Sequence, residues 1–289
     1  MLISGPLRTF EEVWLHNLEI LKGLNIDFNC FIHTWEESIP TYKEPMNGYL
    51  GWPWQWKRLK YEEKYNSSVT SLITSLTSKE VFKDIHVENF NEFSEQLSFL
   101  NKYKNENFYQ ALINSMSMYY GMFRVTQQTK KVNMEFSHAI RLRPDFKLPN
   151  QFQISVDENI VFHGGGVSIQ GKMVSDQCFS GGYNQMCEIM SIFPELFSYM
   201  SSADLSHEYI FSTIAENSIY MQLKKFDLLE KSVMRPEPQL GLVIRPKVVE
   251  NSYTPHPNFY IKGLNRKKLI IKKKTYKILL YIKYRIVKK

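Results

Sequence analysis

Cysteine is scarce. The chain has three, Cys30, Cys178 and Cys187, and none has metal-ligand spacing. An odd, unpatterned set excludes a disulfide framework and points to buried thiols in a reducing compartment. The seven histidines form no HxxxH or HxH pair, which removes the usual zinc signatures. GxGxxG and the P-loop signature are both missing, so the standard glycine-rich nucleotide cradles are excluded. GxSxG is missing as well, and with it the nucleophile elbow. No stretch reaches the ~20 uncharged residues of a spanning helix. The opening MLISGPLRTF lacks a basic segment and a long apolar run, so no secretory signal is read there and a cytoplasmic location is expected. There is no internal repeat and no low-complexity segment.

Acidic residues are missing from one region. Between Leu264 and Lys289 there are 11 Lys or Arg and no Asp or Glu. The chain as a whole carries +7, with 36 basic and 29 acidic residues. Outside the tail, 25 basic residues face 29 acidic ones, a charge of −4. The basicity is therefore a tail, and a body of this charge is not expected to bind nucleic acid. In the tail, Leu269, Ile270, Leu279, Ile282 and Ile286 share one helical side with lysines opposite. This is the pattern of a basic amphipathic helix lying in the plane of an anionic leaflet. Nucleic acid binding and a docked soluble helix are the competing readings. The expected organisation is an α/β domain over residues 1–262 and a basic tail over 263–289, with the protein peripheral at the inner face of the membrane.

The remainder is ordinary globular material, 43% apolar and 22% charged, with aromatics at a high 14%. MLISG reads as a strand closed by Gly5-Pro6. Phe10, Trp14, Leu18 and Leu21 then follow at helical spacing, and DFNCFIHTW reads as a second strand. Strand, helix, strand in about 35 residues predicts a βαβ unit and a parallel sheet. Residues 36–105 resist assignment, and the Trp-rich YLGWPWQWKR within them reads as a loop. Phe108, Leu112, Met116 and Phe123 mark a long helix before the strand HAIRLRPDF. Further strands (NIVF, MVSDQCF, GLVIRP) and helices (YNQMCEIMSIFPELFSYM, SHEYIFSTIAENS) complete an α/β pattern with a mixed sheet.

Four stretches carry candidate chemistry. In SGPLRTF, Ser4, Gly5 and Arg8 form the loop from the first strand into a helix N-terminus, where anions bind in parallel sheets. A tight βα turn with a solvent arginine is the bland alternative. In RLRPDF, strand periodicity puts Arg141, Arg143 and Asp145 on one face, opposite Ile140 and Leu142. Such a triplet suits a phosphorylated ligand, with Asp145 free to hold a divalent cation because Pro144 ends regular pairing. An edge ion-pair ladder is the alternative. Asp176 in SDQCFSGG is a candidate base or sugar ligand, or an Asx turn. In SHEYIF, Glu208 is a candidate acceptor-orienting or basic group after a Ser206 cap. His33 ends the second strand and would line the same cleft.

The order of these stretches (SGPLRTF, FIHTW, NSMSMYYGM, IRLRPDF, SDQCFSGG, then FPEL and HEYIF) resembles a group of bacterial glycosyltransferase-like proteins found with O-antigen and capsule biosynthesis. The resemblance spans most of residues 1–220. It implies a GT-A-like α/β domain with a mixed, mostly parallel sheet flanked by helices, holding a nucleotide-diphospho-sugar donor. IRLRPDF would stand where such enzymes carry Asp-x-Asp, with Arg143 in place of the first Asp, so the use of Mg²⁺ or Mn²⁺ stays open. On this reading Ser4, Gly5, Arg8, Arg141 and Arg143 contact the diphosphate, Asp145 holds a metal if one is used, and Asp176 and Glu208 are the catalytic candidates. His33, Trp52 and Trp54, with Trp56, would meet a lipid-linked or oligosaccharide acceptor. A non-catalytic nucleotide- or glycan-binding protein of the same fold is the alternative, and a membrane-surface scaffold is a third reading.

Overall fold

The computed structural model describes residues 1–7, 9–36, 46–47, 55–61, 81–104, 109–154, 159–202, 215–235, 240–243 and 248–255. It opens as the sequence predicts. Strand β1 (Leu2–Ser4) leads into helix α1 (Phe10–Gly23) and returns as β2 (Cys30–Trp35), which pairs with β1 in parallel. Helix α1 has Glu11 and Glu12 in its first turn and Lys22 in its last, each at the end its dipole favours. It buries Phe10, Val13, Trp14 and Leu21.

The central sheet has seven strands, adding β5 (Phe82–Glu88), β6 (His138–Leu142), β8 (Ile160–Phe162), β11 (Cys178–Gly182) and β12 (Ser232–Met234). Their order is β12-β8-β11-β6-β1-β2-β5. Four of the six neighbouring pairs are parallel, and only β11 runs against both of its neighbours. The architecture is thus α/β with a mixed, mostly parallel sheet flanked by helices.

Strand β5 and the short helix α2 (Phe90–Gln96) lie in the stretch that resisted assignment. Asn89 caps α2, its side chain accepting from the backbone N–H groups of Asn91 and Glu92. In the same stretch β3 (Met46–Asn47) and β4 (Gln55–Tyr61) form a small sheet with β14 (Val248–Pro255). Part of the expected Trp-rich loop is therefore paired backbone, with Trp56 on β4 opposite Thr254. Trp52, Trp54 and the whole basic tail lie outside the described residues.

Helix α3 (Tyr109–Lys131) lies across β1 and β2 on one face of the sheet. Leu2, Phe31, Met116, Tyr119 and Phe179 pack in the core on that face. Helices α4 (Tyr183–Met190), α5 (Phe193–Ser202) and α6 (Ala215–Lys225) continue the layer. Pro194 falls in the first turn of α5, where its missing N–H costs nothing, and this splits the expected continuous helix in two. On the opposite face Ile3, Ile32, Ile140 and Leu142 meet Phe10 and Trp14 of α1. Among the described residues no helix is long and apolar enough to cross a membrane.

One polar residue ties the second face together. Asn17 of α1 is fully buried. Its Nδ2 donates to the carbonyl of Phe146 at 2.8 Å, and its Oδ1 accepts from the N–H of Leu148 at 2.8 Å. These bonds hold β7 (Phe146–Lys147), the segment directly after Asp145, which pairs with β13 (Leu242–Val243), while β9 (Val167–Ile169) and β10 (Lys172–Val174) pair with each other. Asn17→Ala leaves both buried backbone groups unsatisfied, and a loss of about 2–4 kcal/mol in urea unfolding is expected. A loss under about 0.5 kcal/mol would contradict this assignment.

Candidate functional site

The chain order of the sheet reverses at β1. The strands following it run outward through β2 to β5, and β6 then returns to β1's other side. In open α/β sheets the crevice for ligands lies beyond the carboxyl ends of the strands at such a switch point. Ser4-Gly5 and Arg143-Pro144-Asp145 emerge there side by side. Gly5 has φ +125°, a conformation that L side chains rarely adopt. Its N–H donates to the carbonyl of His33, and Thr34 Oγ1 donates to its carbonyl at 3.0 Å. A Cβ built on Gly5 would meet the ring of Pro144 at 3.5 Å, so the first βα turn lies directly against the Arg-x-Arg-Pro-Asp run.

That run folds back on itself. The N–H of Phe146 donates to the carbonyl of Arg143, closing a tight turn through Pro144. Arg143 then forks onto Asp145, with Nε to Oδ1 at 3.1 Å and Nη2 to Oδ2 at 3.0 Å. Its Nη1 lies 3.5 Å from Asp176 Oδ2. Arg143 retains 17% side-chain exposure and Asp145 only 3%. The expectation that Pro144 leaves Asp145 pointing freely into a cleft differs from this arrangement. Both carboxylate oxygens are engaged by the guanidinium, which takes the place a cation would occupy. Among the described residues no group of three His, Cys, Asp or Glu side chains is placed to hold a metal ion.

Arg141 lies two residues earlier, inside β6. It stands between Leu2 of β1 and Phe179 of β11 and is fully buried. Its Nη1 donates to the carbonyls of Asp176 and Gln177, the latter at 2.6 Å, while the N–H of Arg143 donates to the Gln177 carbonyl at 3.0 Å. Burial, opposed most strongly by Asp176, lowers the guanidinium to about 10. Periodicity therefore places the two arginines together, but only Arg143 reaches the surface. Arg141 braces from below the segment that presents Asp176.

A third carboxylate was not read from the sequence. Glu216, in the first turn of α6, is pushed upward by burial and then by Asp176, while Arg143 pulls it down. An acid at a helix start after FSTIA is the signal the sequence offers for it. Glu208 and Arg8 lie outside the described residues. Ser4 is buried, and its Oγ has no hydrogen-bond partner among the described residues. His33 is completely buried beneath α3, where a Cβ on Gly121 would come within 3.2 Å of its Nδ1. It forms part of the wall behind the turn and does not line the opening.

The three cysteines are free and buried, as their apolar settings suggest. Burial raises the Cys30 thiol to about 12 and the Cys178 thiol further still, so neither supplies a thiolate nucleophile. This end of the sheet thus gathers one forked guanidinium, two further carboxylates and a glycine turn. Comparisons with family models, with curated proteins and with solved structures return no match.

Two buried histidines make the fold acid-sensitive. Burial, reinforced by Arg235, lowers His163 to about 3, and its Nε2 lies 2.8 Å from Ser180 Oγ. Burial lowers His33 as well, against the pull of Glu88. Both stay neutral in the fold while the unfolded chain takes up a proton on each near pH 6.5. Stability is then full above that value and falls as the pH drops below it. Each histidine contributes a slope of up to about 1.4 kcal/mol per pH unit. Urea unfolding of His163→Gln between pH 6 and 5 is expected to show a slope lower than wild type by about that amount, and equal slopes would contradict the assignment.

Proposed function

We propose that the chain is a GT-A-like glycosyltransferase, moving a sugar from a nucleotide-diphosphate donor to a lipid-linked or polysaccharide acceptor in surface polysaccharide synthesis. The observation that carries this reading is the contact of Gly5 with Pro144 at the switch point, which sets the one guanidinium of the triplet that reaches the surface beside the first βα turn. In sugar transfer from such a donor, negative charge develops on the leaving diphosphate, and preorganised donors aimed at that charge are the largest catalytic lever. Arg143 has that role here. Asp145 fixes the plane of its fork, and Arg141 holds the Asp176–Gln177 backbone that faces it. Asp176 is the base or acceptor-orienting group nearest to Arg143, and Arg8 and Glu208 remain assigned to donor and acceptor respectively. With Asp145 engaged by Arg143, no step is assigned to a metal ion.

The test is a panel of nucleoside diphosphates and nucleotide-sugars, read by thermal stabilisation and by donor turnover, with and without Mn²⁺. Arg143→Lys keeps the charge but loses the fork, and binding about tenfold weaker than wild type is expected. Wild type unmoved by every diphosphate, or a Lys variant that binds equally well, would overturn the site. Stabilisation without turnover on any acceptor would select the binding-protein reading.

The basic tail is proposed to hold the enzyme at an anionic membrane surface, where lipid-linked acceptors reside. Removing residues 263–289 should cut partitioning onto phosphatidylserine vesicles at least tenfold at low salt. Unchanged partitioning would contradict a membrane role.

A further inference from the structure

A groove opens past the carboxyl edge of the sheet, to the β5 side of the Ser4-Gly5 turn. Its walls are α2, the 3-10 helix Ser98–Tyr103 that follows it, and the first turns of α3. Helix α3 meets the first βα turn at Gly121, where a Cβ would lie 3.3 Å from that of Ser4. Further along, Gln128 donates to the carbonyl of Ile32 inside β2, so the helix runs down the sheet from that edge. At the helical rise, Ile113 and Tyr109 therefore stand about 12 and 18 Å beyond the Ser4 contact.

Both walls are anchored. Glu88, at the end of β5, accepts from Tyr120 Oη at 2.6 Å and from Arg124 Nε at 2.8 Å, which ties α3 to the strand that leads into α2. Phe90, in the first turn of α2, sets its ring nearly at right angles to Trp35 of β2, with 5.2 Å between centroids. The groove between these walls holds about 360 Å³, room for a sugar ring and its substituents.

Its lining mixes apolar surface with hydrogen-bonding groups. Among the described residues Phe90 and Ile113 supply the apolar part, and Glu95, Ser98, Asn101 and Tyr109 the polar part. Tyr109 Oη donates to Asn101 Oδ1 at 2.9 Å, which fixes the amide and leaves its Nδ2 as a donor for a ligand. The side chains of Glu95 and Ser98 are exposed and have no hydrogen bond or ion pair among the described residues. No Lys or Arg is among the described lining residues. A carboxylate without a basic neighbour repels phosphates and acidic sugars. A neutral sugar fits: its C–H face lies on apolar surface while its hydroxyls donate to Glu95 and accept from Asn101.

We infer that this groove is a subsite for a neutral sugar, in a saccharide chain that runs along the carboxyl edge from the Ser4-Gly5 turn. The separation from that turn suits a unit several sugars away from the bond being made. Calling the saccharide an acceptor rests on the glycosyltransferase reading; its binding to the groove is measured with no donor present.

The test titrates the full chain, labelled at isoleucine methyls and backbone amides, with cello-, malto- and N-acetylglucosamine oligosaccharides of increasing length. At least one series should move the Ile113 methyl and Asn101 amide resonances. Asn101→Ala, an exposed change, should weaken that binding about tenfold, the loss of roughly one hydrogen bond. Oligogalacturonate of equal length should leave the same resonances still. No response to any neutral series, or equal binding by Asn101→Ala, would overturn the inference. So would a stronger response to oligogalacturonate or to a polyamine than to any neutral sugar. Saccharide binding without a response to any nucleoside diphosphate would uphold the groove and sink the donor site, and the reverse pair of results would do the opposite.

Discussion

The site depends on one interaction, the fork of Arg143 onto Asp145. Both residues sit beyond the end of β6, where regular strand pairing has stopped, and the guanidinium and carboxylate close on each other through the Arg143–Phe146 turn. Asp145 is almost entirely buried, so its charge is tolerable only because it is paired. The pair leaves one edge of Arg143 toward Asp176 and the opening. A ligand phosphate arriving there would meet a guanidinium whose orientation is already set, which lowers the ordering cost of binding.

The surrounding structure keeps that fork in place from three sides. Asn17 grips the backbone just after Asp145 from α1. Arg141 spends its Nη1 on the carbonyls before β11, a use of a buried cation that turns a charged side chain into a backbone brace. On the third side Gly5, whose φ of +125° suits a glycine, lays the first turn against Pro144. Helix α3 seals the layer behind, and the glycine at 121 spares His33 and Ser4 contacts of 3.2 and 3.3 Å with a Cβ.

Much of this frame was legible in the sequence. The opening βαβ unit showed itself through a helical stripe of Phe10, Trp14 and Leu21 and through Gly5-Pro6, and these are the positions that pack or turn. The placement of Arg141, Arg143 and Asp145 together followed from a period of two. Periodicity specifies a face but not what covers it, and so it did not reveal that Arg141 is buried or that Asp145 turns back. Strand β5 escaped notice because FKDIHVE sits at the sheet edge and places Asp84, His86 and Glu88 on one face, a polar row that gives no apolar signal. Its partners Tyr120 and Arg124 were hidden in a helix read only for its apolar stripe. Glu216 was hidden for a related reason: an acid in a helix's first turn is explained locally by the dipole, and its proximity to Asp176 is a tertiary fact.

The central claim, that Arg143 and Asp145 act as one preorganised unit, is tested most directly by a double-mutant cycle. Unfolding free energies of wild type, Arg143→Met, Asp145→Asn and the double variant give the coupling between the two side chains without assumptions about ligand. A coupling of about 2 kcal/mol or more is expected for a forked pair so little exposed, with Arg143→Met alone costing more than the double change because it strands a buried carboxylate. Additive effects, with a coupling within about 0.3 kcal/mol of zero, would contradict the account.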